Sequence, residues 1–214
     1  SHALFKSALF LVVGVIDRQL GTRDIDELFG VARQAPVMAT FSFIAIASMI
    51  GFVPTLGFVA KEAAFTAFLA EGQGGAVWGW IALVGIVIGS GLTVGYGARF
   101  LWGAFWTKPD IERTEWPDPP IGFLGAPVLL AGLTVVGGIA APWIDPALQT
   151  YAETAPAASA GVAAPDHAYH LSLWHGFEPA LWLSILTLLL GAGVFWLVRA
   201  THWHREQRLL PFTA

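Results

Sequence analysis

The chain has 214 residues, a formal net charge of −4, no cysteine and a mean hydropathy of +0.65. Only 12% of its residues are charged and 56% are hydrophobic; soluble domains carry roughly 25% charged residues, so most of this chain belongs in lipid. The absence of cysteine excludes disulfides, cysteine-based zinc sites and iron–sulfur ligation, and no basic stripe points to nucleic acid.

Five apolar stretches are predicted, at residues 3–16, 37–69, 77–106, 123–143 and 180–199. The first begins almost at once after Ser1-His2, with neither an initiator methionine nor the charged head of a signal peptide. It reads as a helix entered part-way, in the C-terminal part of a longer protein. The second is 33 residues long, about 50 Å as one helix, too long for one crossing of a bilayer unless it is broken or strongly tilted. Pro54, flanked by Gly51 and Gly57, predicts a break. The third stretch carries Gly85-xxx-Gly89 and Gly91-xxx-Gly95, spacings that allow close helix approach. The expected fold is therefore all-α, a polytopic transmembrane bundle with one broken helix. Its expected organisation is a membrane-spanning part over 1–143, a non-cytoplasmic loop over 144–179, and an additional transmembrane helix with a cytoplasmic tail over 180–214.

Charge placement sets the orientation. Seven of the eleven Lys and Arg lie outside the stretches, all of them after stretches one, three and five, and Arg99 and Arg199 sit toward the C-terminal ends of stretches three and five. The connections at 70–76 and 144–179 have none. The positive-inside rule puts the first set in the cytoplasm and the second on the opposite face. Tryptophans 78, 80, 102, 106, 143, 182, 196 and 203 sit near stretch ends, as an aromatic belt does.

Two lysines remain inside the apolar stretches. Lys6 has apolar neighbours on both sides, and His2 lies one turn earlier on the same face. A charge in mid-bilayer costs from about 2.5 kcal/mol upward, so burial beside protein or water is expected, and a buried lysine exchanges protons near neutrality. A His2–Lys6 proton relay competes here with snorkelling to the interface. Lys61 lies just beyond the predicted break, where freed carbonyls and water serve an ammonium, as broken helices do at transporter ion sites. Glu62 has an auxiliary place, directed toward either a neighbouring subunit or the interface. His167, His170 and His175, and the His202/His204 pair, lack the companions that would complete a metal site and read as interfacial. No metal and no cofactor is expected.

These residues carry a resemblance. His2-Ala-Leu-Phe-Lys-Ser-Ala-Leu-Phe and Gly51-Phe-Val-Pro-Thr-Leu-Gly-Phe-Val-Ala-Lys61 resemble the two lysine motifs of the antiporter-like membrane subunits, shared by respiratory complex I and the multisubunit Na+/H+ antiporters of the Mrp type. Thr22-Arg-Asp24 and Leu171-Ser-Leu-Trp-His-Gly-Phe177 are similar to the A-subunit family of the Mrp type. The resemblance implies a secondary-transporter subunit, not an enzyme, in the plasma membrane of a prokaryote. It implies other antiporter subunits as partners in a hetero-oligomeric complex, and H+ and Na+ as the ions moved. Lys6 would be the central proton carrier, His2 its partner, and Lys61 the terminal lysine near the exit. The rival readings are a proton-pumping membrane subunit of complex I and a structural anchor for other subunits.

Overall fold

A computed structural model describes residues 1–28, 30–106, 114–117, 119–154 and 169–201. His167, the His202/His204 pair, Lys108, Arg113, Arg205 and Arg208 lie outside the described residues. Those described form helices α1 (His2–Leu20), α2 (Val31–Gln34), α3 (Pro36–Ile50), α4 (Leu56–Gln73), α5 (Val77–Phe105), α6 (Ile121–Ile139), α7 (Ala141–Thr154) and α8 (Pro179–Ala200), with no strand among them.

The burial pattern is inverted relative to a soluble bundle. On α8 the buried positions are Ala180, Ser184, Thr187 and Gly191, at helical spacing, while Leu186, Leu189, Leu190 and Leu197 face outward. On α5, Ile81, Val84, Ile88 and Leu92 are likewise exposed. Small and hydroxylated side chains inside with aliphatic ones outside is the arrangement lipid selects, because apolar burial gives no drive between helices there. Helices α5, α6 and α8 are long and apolar enough to cross a membrane. The second stretch is divided into α3 and α4, and α1 carries Lys6, Asp17 and Arg18, so neither stretch makes a single uninterrupted apolar span.

Glycines set the closest helix approaches. A methyl group on Gly191 of α8 would fall 2.2 Å from Val94 Cβ of α5, and one on Gly95 would lie 3.2 Å from Val194. Of the two Gly-xxx-Gly pairs, Gly91/Gly95 packs against α8, whereas Gly85 and Gly89 have nothing within 4 Å of the methyl position. Around the other side, α1, α3 and α6 pack together, with α6 also reaching α4.

The two ends of the bundle are distinct. At one, Leu28, Val31, Ala104, Phe105 and Trp116 form a buried cluster; Gly30 donates to the Trp106 carbonyl, and Gln19 donates to the Pro117 carbonyl at 2.7 Å. The connections after α1 and after α5 therefore meet. The opposite end gathers the start of α4, the head of α8, α7 and the segment 169–177. This pairing of ends is the one that the partition of basic residues requires.

The interval 144–179 differs from the expected loop. The fourth stretch stops as a helix at Ile139, and α7 begins two residues later and runs to Thr154. Trp143, placed at a span end by the sequence, is an exposed residue of α7. Pro142 sits in the first turn of α7, where its missing N–H is harmless.

Candidate functional site

The break in the second stretch is built by four residues. Gly51 closes α3 in the left-handed conformation (φ 74°) and donates its N–H to the end of that helix. Residues 51–55 leave the helix, with the Val53–Pro54 peptide cis. Thr55 then caps α4: its hydroxyl accepts from the Phe58 N–H and donates to the Phe52 carbonyl at 2.7 Å. Gly57 lies in the first turn of α4 so close to α3 that a Cβ would stand 1.7 Å from the Ser48 carbonyl oxygen. From α6, Gly138 approaches the same place, its methyl position 2.2 Å from the Pro54 carbonyl oxygen. Three helices thus converge on exposed backbone at the break.

Lys61 fills the space that the break opens. Its Nζ donates to the freed Ile50 carbonyl at 3.0 Å and to Thr187 Oγ1 at 2.6 Å, and it lies 5.6 Å from the centre of the Phe65 ring. The lysine stem also explains Gly51, since a Cβ there would be 2.5 Å from Lys61 Cδ. Glu62 turns inward as well: it is 4% exposed and accepts from Ser184 Oγ at 2.6 Å. The outward directions considered for it from sequence are corrected by this contact. Ser184 and Thr187, one turn apart on α8, hold the acid and the ammonium, and Thr187 in turn donates to the Ser184 carbonyl. Ser48 Oγ, 1% exposed and also at the break, has no protein partner.

Lys6 occupies a different place. It is half-buried on α1, its Nζ 5.5 Å from the Phe10 ring centre. It lines a cavity of about 160 Å3 with Ile46 and Met49 of α3 and Tyr96 and Gly97 of α5. His2 is exposed and sets its ring edge-on to Phe5 at 5.0 Å. The last turn of α3 therefore stands between the lysines, with Ile46 and Met49 toward Lys6 and the Ile50 carbonyl on Lys61.

A second polar cluster, outside the spanning helices, lies at the end of the bundle near α4. His170 Nδ1 is 2.7 Å from Asp145 Oδ2, the Leu171 N–H donates to Asp145 Oδ1 at 2.9 Å, and Gln149 donates to the Tyr169 carbonyl at 2.7 Å. The Leu171 N–H, then His170, hold the Asp145 carboxyl below the usual carboxylate range. Burial, with the carboxylates of Glu62 and Glu178 adding, pushes the Tyr169 phenol up to about 12. His170 and His175 are thus parts of a bonded network, not solitary interfacial residues.

The chain is similar to proteins already known. A family model described as the transmembrane region of NADH:quinone oxidoreductase and Mrp antiporters matches residues 1–93. The A-subunit of the Na+/H+ antiporter of Alkalihalophilus pseudofirmus is 34% identical over 93% of this chain, and the probable A/B-subunit of a K+/H+ antiporter of Rhizobium meliloti is 34% identical over 94%. The solved Mrp complex from a Dietzia species superposes on the whole chain with a TM-score of 0.75 at 35% identity. Residues 1–93 belong to the transmembrane region of the NADH:quinone oxidoreductase/Mrp antiporter family. With three helices long and apolar enough to cross a membrane, and bacterial antiporter subunits as relatives, the chain is a multi-pass protein of the plasma membrane. It spans about a quarter of the length of these relatives, 26% and 20% of the two antiporter proteins. Both family lysine motifs lie within residues 1–93, and α8, which supplies Ser184 and Thr187, lies beyond them.

Proposed function

We propose that this chain forms part of the proton path in a membrane subunit of a multisubunit cation/proton antiporter, with Lys6 and Lys61 as proton carriers. The observation that carries the reading is Lys61 held at the break by one carbonyl and one hydroxyl, beside the buried carboxylate of Glu62. Neutral acceptors hold an ammonium without fixing its charge permanently, and an adjacent acid offers a destination for its proton. A purely structural cation has no use for a helix opened at membrane depth, an arrangement found where backbone lines a cavity or water path.

In this reading Glu62 is the auxiliary group and His2 the partner of Lys6. The break formed by Gly51, Pro54 and Gly57 provides the freed carbonyls. The A-subunit relatives and the Mrp complex named above support the transporter assignment, with other antiporter subunits as partners and H+ and Na+ as the ions. The part over 1–143 is the channel-forming piece, and α8 is an added helix that braces its terminal lysine. Replacing Lys61 with Ala or Arg in the full-length protein, and measuring cation-driven proton movement in inverted vesicles, tests it. A structural cation tolerates Arg; a proton carrier does not, because Arg keeps its proton at physiological pH.

A further inference from the structure

The segment 169–177 has no helix to order it, yet it is fixed. Asp145 of α7 holds it at two points, the His170 ring and the Leu171 N–H, and Gln149 holds the Tyr169 carbonyl. Between these anchors and α8, Leu171 and Leu173 seat on Phe58 and Val59. Those residues belong to the turn of α4 just before Lys61 and Glu62. The segment therefore lies over the lysine–glutamate pair at the non-cytoplasmic end.

Its one inward-facing aromatic pair is Tyr169 and His175, whose rings stack at 4.8 Å. His175 Nε2 lies 2.7 Å from the His170 carbonyl and 3.1 Å from Ser172 Oγ. A carbonyl oxygen only accepts, so these partners assign the neutral ring its proton at Nε2. Nδ1 is then the free lone pair, and it faces the Tyr169 hydroxyl at 3.5 Å. The groups that bear on this pair from surrounding elements are Glu62 of α4, Glu178 at the head of α8, and Asp145 of α7 through His170. The Glu62 and Glu178 carboxylates are within electrostatic reach of the Tyr169 hydroxyl, and His175 is within reach of Glu62.

From this placement we propose that His175, through Tyr169, is a proton-transfer group connecting the Lys61–Glu62 pair to the aqueous phase. The proposal rests on Lys61 being a proton carrier. Lys61 Nζ and the Glu62 carboxylate hold different partners on α8, Thr187 and Ser184, so the Lys61 ammonium passes its proton to the Glu62 carboxylate through an intervening water, leaving a neutral amine and a carboxylic acid. That acid protonates the Tyr169 oxygen, again through water, as Tyr169 passes its own hydroxyl proton to His175 Nδ1. Because Nδ1 faces Tyr169, the imidazolium so formed turns about its Cβ–Cγ bond to release the Nδ1 proton to water at the rim, and the return of the ring restores the Nε2–H tautomer beside a neutral phenol. Ser184 holds the carboxylate in position throughout.

The test uses the full-length protein in its assembled complex, in inverted vesicles, with the pH on the non-cytoplasmic side varied. His175→Gln keeps a polar side chain that does not titrate; Tyr169→Phe keeps the ring. Lys61→Ala runs in parallel. His175→Gln is expected to lower the exchange rate roughly 10²-fold, the low end of what a positioned proton-transfer group contributes. It is also expected to change how the rate depends on the pH of the non-cytoplasmic side. Tyr169→Phe is expected to lower the rate in the same direction, and it decides the matter should His175→Gln fail to assemble. An assembled variant with wild-type rate, or with a lower rate but an unchanged pH profile, overturns the relay. If Lys61→Ala is inactive while His175→Gln is wild-type, only the relay falls; if Lys61→Ala is active, the proton-carrier reading falls with it.

Discussion

Gly57→Ala measures how tightly the break is built. The added methyl would lie 1.7 Å from the Ser48 carbonyl oxygen and 2.6 Å from its carbon, where ordinary contact begins near 3.4 Å. Backbone cannot step aside as a flexible side chain does, so α3 and α4 must part by about 1.7 Å, the shortfall between these distances. Overpacking of this kind costs about 1–3 kcal/mol. The same movement stretches the 3.0 Å bond from Lys61 to the Ile50 carbonyl beyond hydrogen-bond range. That loss, of a bond to a charged group, costs about 1.5–3 kcal/mol more. The assay is thermal unfolding of the purified complex together with vesicle antiport. Gly14→Ala is the control: it sits mid-helix in α1 with nothing within 4 Å of its methyl position. It is expected to be neutral or slightly stabilising. Gly57→Ala is expected to lower the unfolding temperature and remove most activity. If both variants unfold and transport alike, the close approach of α3 and α4 at the break is wrong.

Three further outcomes follow from separate contacts. Gly191→Ala should loosen α8 from α5, and Val94→Ala should restore little of the loss, because the closest contacts are Val94 Cβ and the Gly91 carbonyl oxygen, both of which that change keeps; unfolding temperatures of the four variants form the double-mutant cycle. Because the folded-state carboxyl of Asp145 is held low, its contribution is fully present above the ordinary carboxylate range and is lost as pH falls below about 4. Protection of the 169–177 amides, relative to intrinsic exchange at each pH, should therefore hold at neutral pH and fall only in acid, and Asp145→Asn should lower it at neutral pH. A single cysteine at Gln73 should react with a membrane-impermeant reagent from outside only, and one at Glu115 from the cytoplasm only; the reverse pattern would invert the topology.

What the sequence made legible was whatever a single residue type dictates locally. Pro54 between two glycines located the break, and the run of Lys and Arg sorted the ends of the bundle. Lys61 stood out because a charge in an apolar stretch is costly. Ser184 and Thr187 did not stand out, since a hydroxyl in an apolar helix is cheap and common, and their role depends on α8 packing beside α4. The only available signal was their spacing with Ala180 and Gly191, a small-residue stripe along one face. The Asp145–His170 pair was equally hidden, because 25 residues separate its members and no periodicity links a helix to a non-helical segment. Helix α7 was missed because its first residues, 141–143, read as the end of the fourth apolar stretch and the rest fell within the loop expected over 144–179.

The most direct measurement is exchange activity of Lys61→Arg beside Lys61→Ala, in the full-length protein within complexes verified as assembled. Arg preserves the positive charge at the break but does not release its proton at physiological pH. Both variants are expected to assemble, and both to lose cation-driven proton movement in inverted vesicles. Near-normal exchange with Arg and none with Ala would make Lys61 a structural cation, and would contradict its assignment as the group that hands protons onward.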